Sequence, residues 1–161
     1  MFTTLVLSGG STKGILMLGA LHYISMNYGL NSITHYYGTS IGSIINLLLA
    51  IGYEPLDLVI QFKKMTISFN FLLTKEDIQC FDYDKILHEI KTYVFYKTNK
   101  NPTLLDIYNI YGKSLHFITY NYTQDKIEIL SKDTYPNMLA LEAIKLSCAI
   151  PLIFRKCTYK K

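Results

Sequence analysis

The chain has no tryptophan and few charges: Asp, Glu, Lys and Arg make up 17% of its 161 residues, while 50% are hydrophobic. That balance excludes a disordered chain and leaves enough apolar material for the core of one domain, or of a piece of one. Long apolar runs are missing too. "IINLLLAIGY" falls well short of the ~18–20 residues that a membrane-spanning helix needs. The opening "MFTTLVLSGG" has no basic residue before its apolar stretch and is interrupted by glycines, so a signal peptide is not expected. Cysteine is scarce. Cys80, Cys148 and Cys157 are odd in number and lack metal-site spacing, which predicts reduced thiols and an intracellular location, cytoplasmic or peripheral to a membrane. Without an export signal, "NYT" at Asn121 reads as a chance match to a glycosylation acceptor. The net charge of +4, densest in "RKCTYKK", is too weak to indicate nucleic acid. It is compatible with peripheral contact at an anionic membrane, or with an ordinary solvated face. Neither internal repeats nor low-complexity tracts occur.

What is present alternates between strand and helix signals. "TTLVLSGG" reads as a short buried strand, and "KGILMLGALHYISMNYG" as an apolar helix stopping at Gly29. "SITHYYG" is a second strand and "SIGSIINLLLAIG" a second apolar helix, ending at Gly52. Strand–helix–strand–helix order with apolar strands predicts an α/β fold on a parallel sheet. Glu54–Pro55 opens a third helix, with Pro in its first turn. "ISFNFLL" fits neither a helix nor a strand pattern and is expected to be a loop or short strand. Residues 74–112 read as helical around the polar linker "YKTNKNPT", with capping-box spacing at Thr74/Asp77 and Thr103/Asp106. "KSLHFITYN" and "KIEIL" predict a hairpin through "YTQD". "NMLALEAIKLSCA" is a last helix, ended by Ile150–Pro151.

Two short segments carry chemistry. Gly38–Thr39–Ser40–Ile41–Gly42 matches the G-x-S-x-G nucleophile elbow and has the required strand before it and helix after it. Reversing from strand to helix at one residue forces Ser40 into a strained backbone costing about 1–3 kcal/mol. Glycines two before and two after it remove side chains that would clash with the neighbouring elements. The turn points the hydroxyl outward at a helix amino end, whose dipole favours developing negative charge. The second segment, "SGGSTKG" from Ser8 to Gly14, joins the first strand to the first helix. Adjacent glycines leave backbone N–H groups bare, and donors aimed at one point form an oxyanion hole. In a parallel sheet this loop can lie beside Ser40. A phosphate loop is the weaker reading, since the order Ser-Thr-Lys-Gly is wrong for a Walker motif and no G-x-G-x-x-G occurs. A purely structural glycine turn stays open.

Together, "LVLSGGSTKG", "YYGTSIGS" and "LSCAIPLIF", in that order, resemble the patatin-like phospholipase family. The helix-then-strands region "TLLDIYNIYGKSLHFITYNYTQDKIEILS" is also similar to it. The resemblance implies a three-layer α/β sandwich with a mainly parallel central sheet, incomplete here at its C-terminal end, so that residues 1–161 form a partial domain. It implies a lipid or phospholipid acyl ester as substrate and a Ser–Asp dyad without metal or cofactor. Ser40 is then the nucleophile between elbow glycines Gly38 and Gly42. Gly9, Gly10 and Ser11 hold the oxyanion, with Lys13 and Gly14 completing the loop. Ser11 departs from the family, which commonly has a third glycine there. A larger departure is that the dyad aspartate lies in an Asp-Gly motif in the family, and this chain contains no Asp-Gly dipeptide. Asp57, Asp77, Asp82, Asp84, Asp106, Asp125 and Asp133 all fall in expected helices, caps or turns; His35 lies in the strand feeding the elbow, a poor place for a base, and neither His88 nor His116 has a motif around it. The expectations are therefore a fragment or truncated product of a lipid hydrolase, a base supplied by another polypeptide, or a catalytically inactive lipid-binding or scaffold relative.

Overall fold

The computed structural model describes residues 2–72, 83–149 and 157–159. The element order is β1 (Thr4–Leu7), a 3-10 turn (Ser11–Lys13), α1 (Gly14–Tyr28), β2 (His35–Gly38), α2 (Ile41–Ala50), α3 (Pro55–Leu72), α4 (Tyr83–Thr98), α5 (Leu104–Tyr111), β3 (Ser114–Asn121), β4 (Lys126–Ser131) and α6 (Ala140–Ser147). Strands β1, β2 and β3 are parallel, and β4 returns antiparallel beside β3, giving a four-stranded sheet ordered β1-β2-β3-β4. This is the mainly parallel α/β architecture expected of alternating strand and helix signals.

Period-two alternation sorts the sheet into unlike faces. Tyr36, Leu115, Phe117 and Leu130 share one face and are buried. The opposite face carries Tyr37 and His116, with exposed Val6, Tyr120, Ile127 and Ile129. Helix α2 is the hub of the core. It has no charged residue, packs on β1, β2, β3, α1, α4 and α6, and is buried at every position from Gly42 to Ala50. A helix apolar all round has no solvent side to offer and must be enclosed. Full burial of Ile45, Leu47 and Leu48 contributes about 1.5–3 kcal/mol each.

Most sequence expectations stand, but β1, expected to be a buried strand, lies at the edge of the described sheet with no buried residue, and three boundaries move. Helix α3 starts at Pro55 as expected, but its backbone stays helical to Leu72, so most of "ISFNFLL" is helix rather than loop or strand. The Thr103/Asp106 capping box forms with both reciprocal bonds at 3.0 Å; the Thr74/Asp77 pair lies outside the described residues. Helix α6 begins later than its pattern suggests, because the preceding backbone is engaged elsewhere. Leu104 N–H donates to Met138 O and Ala140 N–H to Pro102 O, and Leu139 bridges Thr103 as an extended pair. The helix also ends at Ser147, before Ile150–Pro151, which lie outside the described residues. Among the described residues, no helix is long and apolar enough to cross a membrane.

Candidate active site

Parallel pairing places the carboxyl ends of β1 and β2 side by side, with Leu7 opposite Gly38. The loop to α1 and the turn to α2 leave from those ends. Thr39 N–H donates to Leu7 O at 3.2 Å and ties them together. Ser40 then turns the chain at φ 54° and ψ −122°, in the left-handed half of backbone space that a side chain resists. Its carbonyl accepts from Ser43 N–H at 2.8 Å, which starts α2 directly behind the serine. Ser40 is half-buried, and its hydroxyl has no hydrogen-bond partner among the described residues.

The elbow glycines are required by close approach. A Cβ on Gly38 would lie 2.7 Å from Ser43 Cα and N, inside the first turn of α2. A Cβ on Gly42 would strike Leu7 O and come within 2.8 Å of Ser8 O. Gly14 is also tight: its Cβ would stand 2.5 Å from Ile41 Cγ1, so the amino ends of α1 and α2 abut. Neither helix has an acidic residue in its first turn, so nothing of their own neutralises the partial positive charge at these ends.

Gly9 and Gly10 are different. A Cβ on Gly9 would meet Ser40 Cβ at 3.5 Å and one on Gly10 would meet Met17 Cε at 3.5 Å, both ordinary contacts. Neither residue adopts a left-handed φ. Packing therefore does not require glycine at either position, which weakens the purely structural reading of the loop. A side chain on Gly9 would occupy the space beside Ser40. Among the described residues, the N–H groups of Gly9, Gly10 and Ser11 donate to no acceptor, whereas Lys13 N–H closes the turn on Gly10 O at 3.0 Å. Ser11 sits at φ 50°, a conformation natural to the glycine that it replaces in the family pattern. Lys13 is exposed at the end of this turn.

The candidate bases are elsewhere. Asp57 is exposed on α3, Asp106 is held by the capping box and Lys100, Asp125 bonds Tyr120 Oη in the hairpin, and Asp133 pairs with Lys132 at 2.7 Å. The side chains of Asp77, Asp82 and Asp84 lie outside the described residues. His35 and His116 are neighbours on the sheet face opposite Tyr36, their ring centroids 5.8 Å apart, with His116 stacked on Tyr37 at 4.2 Å. Burial, then the adjacent His35, pushes His116 below the usual imidazole range. His88 is exposed on α4.

A residue that sequence reasoning passed over completes the elbow. Ser147, 8% exposed at the end of α6, accepts a hydrogen bond from Ser40 N–H at 3.1 Å. It lies 2.9 Å from Ser43 Oγ and donates to Ile118 O at 2.7 Å. The signal was a hydroxyl on a stripe of otherwise apolar buried positions: Ala140, Ala143, Ile144 and Ser147.

The Patatin-like phospholipase family matches residues 5–160. The chain is 34% identical over 166 residues to "Probable lipid hydrolase 463L" of Invertebrate iridescent virus 6, covering 98% of this chain and 57% of that protein. It is 33% identical over 158 residues to "Uncharacterized protein R571" of Acanthamoeba polyphaga mimivirus, covering 92% and 52%. The chain thus spans about half the length of these relatives. In fold it is similar to VipD from Legionella pneumophila (TM-score 0.68, 17% identity, 95% of this chain and 43% of that one). It is also similar to ExoU of Pseudomonas aeruginosa, solved in complex with SpcU (TM-score 0.64, 20% identity, 98% and 38%).

Proposed function

The chain belongs to the patatin-like phospholipase family, and on that footing we propose that it is the nucleophile-bearing part of a lipid acyl-ester hydrolase of phospholipase A or lysophospholipase type. Ser40 Oγ attacks the ester carbonyl carbon while its proton passes to a base. The carbonyl oxygen, now negative, is held by the N–H groups of Gly9, Gly10 and Ser11 and by the positive ends of α1 and α2. Collapse expels the alcohol portion of the lipid, which takes up the proton. Water then attacks the acyl-enzyme and releases the fatty acid. Each oxyanion donor in such a site supplies about 2.7–4 kcal/mol of transition-state stabilisation.

One observation carries this reading: Ser40, strained at φ 54°, stands against a glycine loop whose three N–H groups are unspent among the described residues. The base is the family's aspartate, which no described residue replaces. We assign it to polypeptide of the kind that makes up the remaining length of the relatives. Exposed Leu16, Tyr23 and Met26 on α1, with Lys13 at its start, suit peripheral contact with a lipid aggregate. With that base-bearing polypeptide present, the test is reaction with a fluorophosphonate probe and mapping of the adduct by mass spectrometry. Labelling at Ser40, abolished in Ser40→Ala, is the expected result. A folded sample that stays unlabelled refutes a reactive serine and favours the second reading, a non-catalytic lipid-binding relative, which a Ser40 hydroxyl without a hydrogen-bond partner among the described residues motivates.

A further inference from the structure

We infer that Ser147 is a positioning residue that locks Ser40 in its reactive backbone conformation through a three-way hydrogen-bond junction; this rests on Ser40 being the nucleophile. The junction's directions follow from valence. A serine hydroxyl has one proton to donate and two lone pairs to accept with. The carbonyl of Ile118 can only accept, so the Ser147 proton is spent there, at 2.7 Å. The 2.9 Å contact with Ser43 must then run from Ser43 O–H to Ser147 Oγ. Ser40 N–H takes the remaining lone pair at 3.1 Å. Every hydrogen-bonding site of Ser147 is used, in a buried position where an unmet site would be costly.

The junction ties together three elements that already pack on one another: the first turn of α2, the second half of β3, and the end of α6. A second bond beside it, Thr119 Oγ1 to Leu146 O at 2.8 Å, pins α6 to the same part of β3. Two consequences follow for Ser40. Its N–H is held pointing into the protein, toward α6, so it is withdrawn from the donors available to a substrate oxygen, leaving that task to Gly9, Gly10 and Ser11. Its peptide plane is also fixed on the amino side, while the Ser43 N–H bond to Ser40 O fixes it on the other. A residue at φ 54° relaxes unless its surroundings over-determine it, and these two anchors supply the constraint. The Ser147 bonds run to Ser40 N–H, Ser43 Oγ and Ile118 O rather than to the Ser40 hydroxyl, so Ser147 takes no part in the bond-making steps.

The test compares three substitutions in the full chain. Ser147→Ala removes the junction, Ser147→Thr keeps the hydroxyl, and Ser43→Ala removes one donor while leaving the bonds to Ser40 and Ile118. The first readout is the second-order rate of fluorophosphonate labelling at Ser40, taken well below the melting temperature. Ser147→Ala is expected to slow it about 10–100-fold, as small misplacements of a reacting group do, with the other two within about threefold of wild type. The second readout is hydrogen exchange of the Ser40 amide by NMR, which needs no reactivity. That amide is expected to be protected in wild type and to exchange at least about tenfold faster in Ser147→Ala, with Ile45–Leu48 unchanged. Should Ser147→Ala fail to fold, Ser147→Cys, a weak hydrogen-bonding group of similar shape, takes its place with the same expectations. Equal labelling in wild type and Ser147→Ala overturns the positioning role, as does loss of labelling shared equally by Ser147→Thr. Absence of labelling in wild type with the Ser40 amide still protected overturns instead the reading of Ser40 as nucleophile, and the positioning role with it.

Discussion

Replacing Gly42 with alanine tests whether the elbow is set by backbone contact between α2 and β1. The added Cβ would strike Leu7 O, stand 2.7 Å from Leu7 C, and reach within 2.8 Å of Ser8 O. Carbon–carbon contacts are comfortable from about 3.5 Å, so the shortfall at Leu7 is roughly 0.8 Å. All three obstacles are main chain, at and just past the end of β1, and cannot rotate away. Relief requires α2 to lift off β1, yet α2 is buried along its length and abuts α1 where Ile41 meets Gly14. Overpacking of this kind costs about 3 kcal/mol, the upper end of the usual range. For a chain of this size that lowers the melting temperature by roughly 6–12 °C. Two other glycines act as controls. A Cβ on Gly19 meets nothing within 4 Å, and its backbone is ordinary helix, so Gly19→Ala should stabilise by about 0.5–1 kcal/mol. Gly52 is also open but sits at φ +90°, so Gly52→Ala should cost about 1–2 kcal/mol through backbone strain alone. Thermal and urea unfolding followed by circular dichroism give the order Gly19→Ala, wild type, Gly52→Ala, Gly42→Ala from most to least stable. A Gly42→Ala protein melting within about 2 °C of wild type refutes the steric argument, on which the elbow geometry depends.

Gly9→Ala separates chemistry from stability. Its Cβ makes only ordinary contacts, so unfolding should shift by less than about 0.5 kcal/mol, while the methyl beside Ser40 should slow fluorophosphonate labelling about 100-fold; a well-folded, fully reactive variant contradicts the oxyanion assignment. Ser11→Gly should relieve the φ 50° backbone and stabilise by about 1 kcal/mol, read as a higher urea midpoint. His116 gives a pH dependence. Its folded value lies below the ordinary imidazole value of about 6.5, through burial first, then His35, with Lys132 adding to the lowering and Asp133 opposing it. Between the two values the unfolded chain binds more protons, so this contribution is fully present above the ordinary value and is lost as pH falls toward the folded one. Wild type should therefore lose stability relative to His116→Gln as pH drops from 7 toward 5, and parallel pH profiles for the two would refute it.

The order of strands and helices was legible in the sequence because it rests on local signals: apolar runs of strand or helix length, Pro55 at a helix start, and the Thr103/Asp106 box. The elbow was legible for the same reason, since G-x-S-x-G needs a turn at one residue and glycines at fixed spacing around it, all within five positions. Boundaries set by distant partners were not. The late start of α6 comes from backbone bonds between residues 102–104 and 138–140, which no local pattern announces. Which glycines are packing necessities and which are open space also depends on what lies across from them: Leu7 O opposes Gly42, whereas Ser40 Cβ and Thr39 O stand near Gly9 only at ordinary contact distances. Ser147 shows the limit most clearly. It lies 107 residues from Ser40 and stood, in sequence, within the family-resembling segment "LSCAIPLIF" without a role of its own. Hydrogen bonds act over about 3 Å of space whatever the separation along the chain, so only the folded sheet, by bringing β3, α2 and α6 to one point, could give that hydroxyl its partners.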